Sequence, residues 1–208
     1  MRYDAIIVAS GKGRRADLGY NKVFYRMNDG KTVLDHSILL FGEDEDCERI
    51  IVVTNPVYFS EVKGDKVILV EGGKERKDSV RNGLMRVESE YVFIHDGARP
   101  FLHKESLERL KDKMKECDAA ILGRMAHDTI KEVKDGKIVK TLNRENIFLA
   151  ETPQAFKTDL IRDCFERCGD ALFTDDASLA EAMGHEVSVV IDEYDNHKLT
   201  GKDDFTGL

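Results

Sequence analysis

Short apolar runs rich in β-branched residues alternate along this chain with charged, amphipathic segments, and that alternation limits its architecture more than any other feature. Strand candidates are Asp4–Val8, Arg49–Thr54, Lys66–Val70, Tyr91–His95 and Ala119–Leu122. Helix candidates at Val33–Phe41, Arg76–Val87 and Lys104–Cys117 fall between them. This rhythm predicts an α/β fold with a mostly parallel twisted sheet and helices on both faces. In such sheets ligands bind beyond the C-terminal ends of the strands. The rhythm breaks at Asp128, where Thr129–Val133 and Ile138–Thr141 flank an Asp135-Gly136 turn, a strong hairpin signal. Residues 128–151 are expected to leave the domain as a β-arm and pair with a second copy of the chain, since bare strand edges seek partners. Helices near Asp159–Cys168 and at Asp176–Met183, with a last strand at Glu186–Ile191, complete one domain over residues 1–208.

The 208 residues carry a formal net charge of −8, so a nucleic-acid scaffold is disfavoured and any polyanion must be met locally. No apolar stretch nears the roughly 20 residues that span a bilayer, and the N-terminus lacks a signal-peptide layout. A cytoplasmic protein without membrane contact is expected. Cys164 and Cys168 lie one helical turn apart and could share a metal. No second Cys/His pair at ligand spacing accompanies them, so reduced structural thiols are the better reading.

The first strand runs into ASGKGRR at Ala9–Arg15, where Gly11 and Gly13 permit a sharp bend whose N–H groups can meet an anion. Lys12, Arg14, Arg15 and then Lys22 crowd positive charge around that bend. GKGRRA also satisfies a dinucleotide fingerprint. However, no acid stands at the tip of the second strand, IVVTNP at Ile51–Pro56, and three cations exceed what a diphosphate needs. A nucleoside triphosphate is the better ligand. EGGKERKDSVRNGL at Glu71–Leu84 leads from strand to helix and offers backbone N–H groups and Ser79 to an anion or a base edge. A turn capped by Asp78 or Ser79 is the plain structural alternative. VFIHDGARPF at Val92–Phe101 ends a strand on Asp96, with Arg99 three residues later. That is one metal-facing carboxylate and one phosphate-facing guanidinium, or else an Asp96–Arg99 ion pair that only holds the loop. His95 reads as a packing or orienting group. Farther on stand Arg144 at the end of the hairpin, a Thr152-Pro153-Gln154 turn, and a helix start capped by Thr174 or Asp175. Lys198 follows the last strand and, taken alone, reads as a solvated lysine.

Taken in order, these segments resemble the bacterial and plastid 2-C-methyl-D-erythritol 4-phosphate cytidylyltransferases. The family's series runs from a glycine-rich loop with its basic pair and later lysine through GG-x-x-R-x-x-SV-x-x-GL, HD-x-ARP, DT-x-K, T-x-x-R, TPQ-x-F, TD-[DE]-AS and N-x-K-x-T. The chain carries each of them between Ala9 and Thr200. The resemblance implies a Rossmann-like nucleotidyltransferase domain, a homodimer interlocked by the β-arm, and transfer from CTP to a sugar-alcohol phosphate with Mg²⁺ or another divalent cation. It implies catalytic roles for Arg15 and Lys22 on the triphosphate. Nucleotide contacts would come from Ala9, Ser10, Gly11, Gly13, Gly73, Arg76, Ser79 and Asp96, with Asp96 also near metal and substrate. Arg99, Thr152, Thr174 and Lys198 would form the sugar-phosphate site, joined by Thr129 and Arg144 from the neighbouring subunit. Ser79-Val80, Ala98 and the run from Thr174 to Ser178 favour this family over the ribitol phosphate cytidylyltransferases, which carry HD-x-VRP. Asn21 stands where the family usually has proline before the lysine, which predicts a more mobile Lys22 loop.

Overall fold

β1 (Tyr3–Val8) is apolar along most of its length and almost fully buried, as a central parallel strand covered on both faces must be. The structure, a computed structural model, describes residues 1–11, 13, 16–169 and 171–208. β1 lies between β2 (Cys47–Thr54) and β4 (Tyr91–Asp96), with Ile6 level with Ile51 and Ile94. β3 (Val67–Glu71) extends the parallel side. On the other side β8 (Phe148–Lys157) runs antiparallel to both β4 and β5 (Ala119–Met125). β9 (Ser188–Ile191) closes that edge parallel to β5, giving the order β3-β2-β1-β4-β8-β5-β9. The expected α/β architecture with a mostly parallel sheet is the one observed.

Period-two alternation divides the core between the two faces. Ala5, Ile7 and Phe93 meet α1 (Val33–Glu43) and α3 (Lys104–Lys113) through Leu34, Phe41, Leu107 and Leu110. Ile6, Val53 and Ile94 meet α2 (Arg76–Leu84), α4 (Thr158–Arg167) and α5 (Asp176–Ala182) through Val80, Leu84, Ile161, Phe165 and Leu179. Burial of each large side chain such as Phe41 or Phe93 contributes about 2–3 kcal/mol. Helix starts are set locally. Thr32 and Asp35 form a reciprocal box at α1, with Asp35 N–H donating to Thr32 Oγ1 at 3.1 Å and Thr32 N–H to Asp35 Oδ2 at 2.8 Å.

The expected strands and helices recur within a few residues of their predicted ends. Thr152-Pro153-Gln154 differs: it lies inside β8 rather than in a turn, with Gln154 level with Ile94 and Ile121. Strands on both sides supply the ladder that local sequence does not advertise. The hairpin comprises β6 (Lys131–Lys134) and β7 (Lys137–Thr141), a separate two-stranded sheet exposed throughout. Asp135 and Gly136 both take positive φ, 49° and 74°, as its tight primed turn requires. Residues Phe148–Glu151 of the segment expected as arm belong instead to β8 in the main sheet. Cys164 and Cys168 are buried free thiols against the core. Among the described residues no group of His, Cys, Asp and Glu is arranged to hold a metal by itself.

Candidate functional site

The C-terminal ends of β1, β3 and β4 open into a cleft of about 480 Å³ lined by Ala9, Ser10, Gly11, Lys22, Gly73 and Arg76 among others, with Asp96 and Lys198 at its floor. Gly72 and Gly73 admit a close approach of chain segments beside it: a Cβ on Gly72 would sit 2.3 Å from Ser10 Cβ, and one on Gly73 2.2 Å from Asp78 Cβ. Ser79 lies one turn into α2, and its hydroxyl accepts from Gly73 N–H at 3.0 Å, lies 2.8 Å from Ser10 Oγ and donates to Glu75 O at 3.1 Å. The two serines therefore tie the β1 loop to the start of α2. Asp78, the other cap considered, accepts from Glu75 N–H at 3.0 Å.

The loop leaving β1 is anchored by Asn21. Its Nδ2 donates to Ala9 O at 2.6 Å, its Oδ1 accepts from Val23 N–H at 3.3 Å, and its own N–H donates to Tyr58 Oη at 3.2 Å. Thr54 Oγ1 gives Ala9 O a second donor at 3.1 Å. Lys22 opens the short 3-10 turn Lys22–Phe24, and the buried Val23 and Phe24 seat it on the core. The three hydrogen bonds of Asn21, the residue that stands where the family usually has proline, hold it to Ala9, Val23 and Tyr58. Arg15, with Lys12 and Arg14, lies outside the described residues.

Asp96 is the electrostatic centre. Arg76 Nε donates to its Oδ1 at 3.1 Å and Lys198 Nζ to its Oδ2 at 2.7 Å. Burial alone would raise its pKa, but the charges of Arg76 and Lys198 outweigh burial and hold the carboxyl well below the usual range. Asp176, at the start of α5, takes the other arm of Arg76 at 2.8 Å, yet burial leaves its pKa raised. Arg76 stays charged: burial opposes that charge, and Asp176 and Asp96 overcome it. The alternative Asp96–Arg99 pairing does not form. Arg99 Nη1 instead donates to Asn196 O at 2.6 Å, and burial lowers its pKa. Lys198, though its side chain is 36% exposed, lines the cleft and pairs with Asp96 rather than standing free in solvent.

A second cleft of about 290 Å³ adjoins the first, sharing Arg76, Asp96 and Lys198 and adding Arg99, Glu151, Thr152 and Thr174. Thr152 Oγ1 accepts from Asp96 N–H at 3.0 Å and pairs with His95 Nδ1 at 3.1 Å, while His95 Nε2 meets Arg99 O at 3.1 Å. His95 is fully buried, which lowers its pKa to about 4, so it orients the turn as a neutral ring. Gln154 Oε1 accepts the N–H groups of Asp176 and Ala177 at 3.1 and 3.0 Å, and Asp175 caps α5 by accepting from Ser178 N–H at 2.9 Å. Thr129 and Arg144 are exposed near the hairpin and line neither cleft; Arg144 Nη1 donates to His127 O at 2.6 Å.

Of the expected site residues described, the fold gathers Ala9, Ser10, Gly11, Gly13, Lys22, Gly73, Arg76, Ser79, Asp96, Arg99, Thr152, Thr174 and Lys198 about the two joined clefts. Sequence reasoning missed Asp176, Gln154, Asn196 and Glu151. Paired acids in TDDAS and the glutamine of TPQ were the only signals for the first two.

A glycine-walled cleft at the carboxyl edge of a parallel sheet, with cations and one ionised aspartate at its floor, is the layout of a nucleotide-binding α/β enzyme. The family model for 2-C-methyl-D-erythritol 4-phosphate cytidylyltransferase matches residues 3–207, and the chain belongs to that family. It is 38% identical over 215 aligned residues to the 2-C-methyl-D-erythritol 4-phosphate cytidylyltransferase of Bacillus licheniformis, covering 98% of this chain and 93% of that protein. The enzyme of the same name from Francisella tularensis superposes with a TM-score of 0.84 at 32% identity, over 99% of this chain and 97% of the other. That of Thermus thermophilus superposes with a TM-score of 0.84 at 28% identity, over 99% and 96%.

Proposed function

We infer that the chain converts CTP and 2-C-methyl-D-erythritol 4-phosphate to 4-diphosphocytidyl-2-C-methyl-D-erythritol and pyrophosphate, a step of non-mevalonate isoprenoid synthesis. Family membership supports this. The observation that carries it is that the glycine-walled cleft and the Arg99–Thr152–Thr174 cleft meet at one carboxylate, Asp96. Two phosphorylated substrates can then bind side by side with their reacting phosphates at the junction.

The cytidine end lies against Ala9, Ser10, Gly11, Gly73 and Ser79, with the triphosphate passing Gly13 toward Lys22 and Arg15. An oxygen of the substrate phosphate attacks the α-phosphorus in line. The α–β phosphoanhydride bond breaks and pyrophosphate leaves with the electron pair. A phosphate monoester is already largely ionised near neutral pH, so no general base is needed. Catalysis rests on positioning and on cationic stabilisation of spread negative charge, the work assigned to Lys22 and Arg15. Arg99, Thr152, Thr174 and Lys198 orient the sugar phosphate.

Asp96 fits a divalent cation as its one protein carboxylate: it is held ionised, and Arg76 and Lys198 leave a lone pair free on each oxygen. A bound Mg²⁺ would neutralise phosphate charge there. The hairpin's exposed Val133, Ile138 and Val139 support its burial against a second copy, which would bring that copy's Thr129 and Arg144 to the sugar-phosphate cleft. No helix among the described residues is long and apolar enough to cross a membrane. A cytoplasmic location belongs to the same proposal, because CTP does not cross a bilayer unaided.

Pyrophosphate release from CTP and Mg²⁺, with methylerythritol 4-phosphate and ribitol 5-phosphate offered separately, tests the assignment. Turnover with the first is expected. Preference for the second would move the protein to polyol phosphate metabolism while keeping the transfer chemistry.

A further inference from the structure

Glu151 is the residue before Thr152 on β8, and it lines the smaller cleft while almost wholly buried, at 4% exposure. Its Oε1 lies 3.5 Å from Arg124 Nε, and its Oε2 is buried without any hydrogen-bond partner. Two further orphaned atoms sit in the same knot, Arg99 Nε and Asn196 Oδ1. They belong to one connected set: Arg99 donates to Asn196 O, and Asn196 Nδ2 donates to Thr152 O at 2.9 Å. Buried polar atoms are rarely left unpaired, so two on lining residues of one cleft, Glu151 Oε2 and Arg99 Nε, call for a ligand that completes them.

The chemistry of the orphans restricts that ligand. Glu151 Oε2 is an acceptor and would repel a phosphate. A bare cation is disfavoured by the charges of Arg99 and Arg124 that already act on the carboxylate. An unpaired acceptor, Glu151 Oε2, and an unpaired donor, Arg99 Nε, on two residues that line one cleft suit a hydroxyl, which donates to the first and accepts from the second. Building on the substrate reading above, we propose that Glu151 Oε2 accepts a hydrogen bond from a hydroxyl of the sugar-alcohol phosphate, so that Glu151 sets which polyol the cleft accepts. The phosphate of that substrate stays with the cations, and the carboxylate reads the chain. Burial raises the pKa of Glu151 against the charges of Arg99 and Arg124, as expected of a carboxylate waiting for a donor.

Kinetics of the wild type, Glu151→Leu, Glu151→Gln and Arg124→Gln test this, with CTP and methylerythritol 4-phosphate varied in turn and a melting curve for each protein. Glu151→Leu is expected to raise KM for the sugar phosphate about ten- to a hundredfold and to leave KM for CTP within about twofold. Glu151→Gln keeps an acceptor and stays within about threefold of the wild type. Arg124→Gln breaks the ion pair and leaves sugar-phosphate KM unchanged. Deoxy analogues of the substrate, one hydroxyl removed at a time, probe the contact with the protein untouched. One of them must lose about tenfold in kcat/KM on the wild type and nothing further on Glu151→Leu. An unchanged KM in a folded Glu151→Leu protein, an equal defect in Arg124→Gln, or additive losses for every analogue overturns the proposal. A wild type inactive with methylerythritol 4-phosphate removes the substrate reading and the Glu151 role together, whereas an active wild type with an indifferent Glu151→Leu removes only the latter.

Discussion

Lys198 and Asp96, 102 residues apart in the chain, meet at 2.7 Å where the two clefts join. Arg76 holds the other oxygen of the same carboxylate, so the aspartate stays ionised whatever the physiological pH. Replacing Lys198 by Met removes one cation from the junction of the two clefts. Turnover in the pyrophosphate assay is expected to fall about a hundredfold with the melting temperature little changed. Near-normal kcat/KM would assign Lys198 a purely structural role.

Lys22→Ala is expected to lower turnover about a thousandfold while CTP still protects the protein against heat. Arg144→Ala, by contrast, raises KM for the sugar phosphate and spares CTP binding. At sugar-phosphate concentrations where neither variant turns over well, mixing the two under subunit exchange restores activity if Arg144 serves the neighbouring site. Failure to complement removes the cross-subunit arm.

His95 makes stability fall in mild acid. Its folded pKa is about 4 because burial disfavours the charged ring, whereas the unfolded chain titrates near 6.5. Between those values the unfolded state binds more protons, so stability is complete above about pH 6.5 and declines as pH falls toward about 4. The loss attributable to this ring is at most about 3 kcal/mol. Urea denaturation at pH 7 and pH 5 measures it, and His95→Gln should flatten the difference while lowering stability at both.

At the opposite edge of the sheet Lys111 is buried and bonds to Asp44 at 3.0 Å, Asp46 at 3.0 Å and Glu108 at 2.9 Å. Asp44 also accepts from the buried Tyr3 hydroxyl at 2.9 Å. Lys111→Met leaves the buried Asp44 carboxylate without its cation, and a loss of about 3 kcal/mol is expected, with both KM values unchanged. An unaltered urea midpoint would sink this account.

Much of this molecule is legible in sequence because its strands are short, β-branched and bounded by glycine, and its site residues cluster at strand ends. β8 was not. FLAETPQAFK mixes a proline, a glutamate and small residues, so neither alternation nor β-branching marks it, and only pairing with β4 and β5 makes it a strand. The contact between Arg76 and Asp176 was equally hidden, since it spans 100 residues and no local pattern encodes it. The contacts of Asn21 were hidden too: its amide bonds to Ala9 O and Val23 N–H, and a residue type alone does not reveal where an amide will point.

The hairpin begins and ends on one rung of the sheet. Met125 and Phe148 are ladder partners, and Ala126 N–H donates to Ile147 O at 2.9 Å just beyond them. Its two ends therefore stand side by side whatever length of chain lies between. The projection is a removable module: it can lengthen, shorten or change its exposed surface without disturbing the register of β5 and β8.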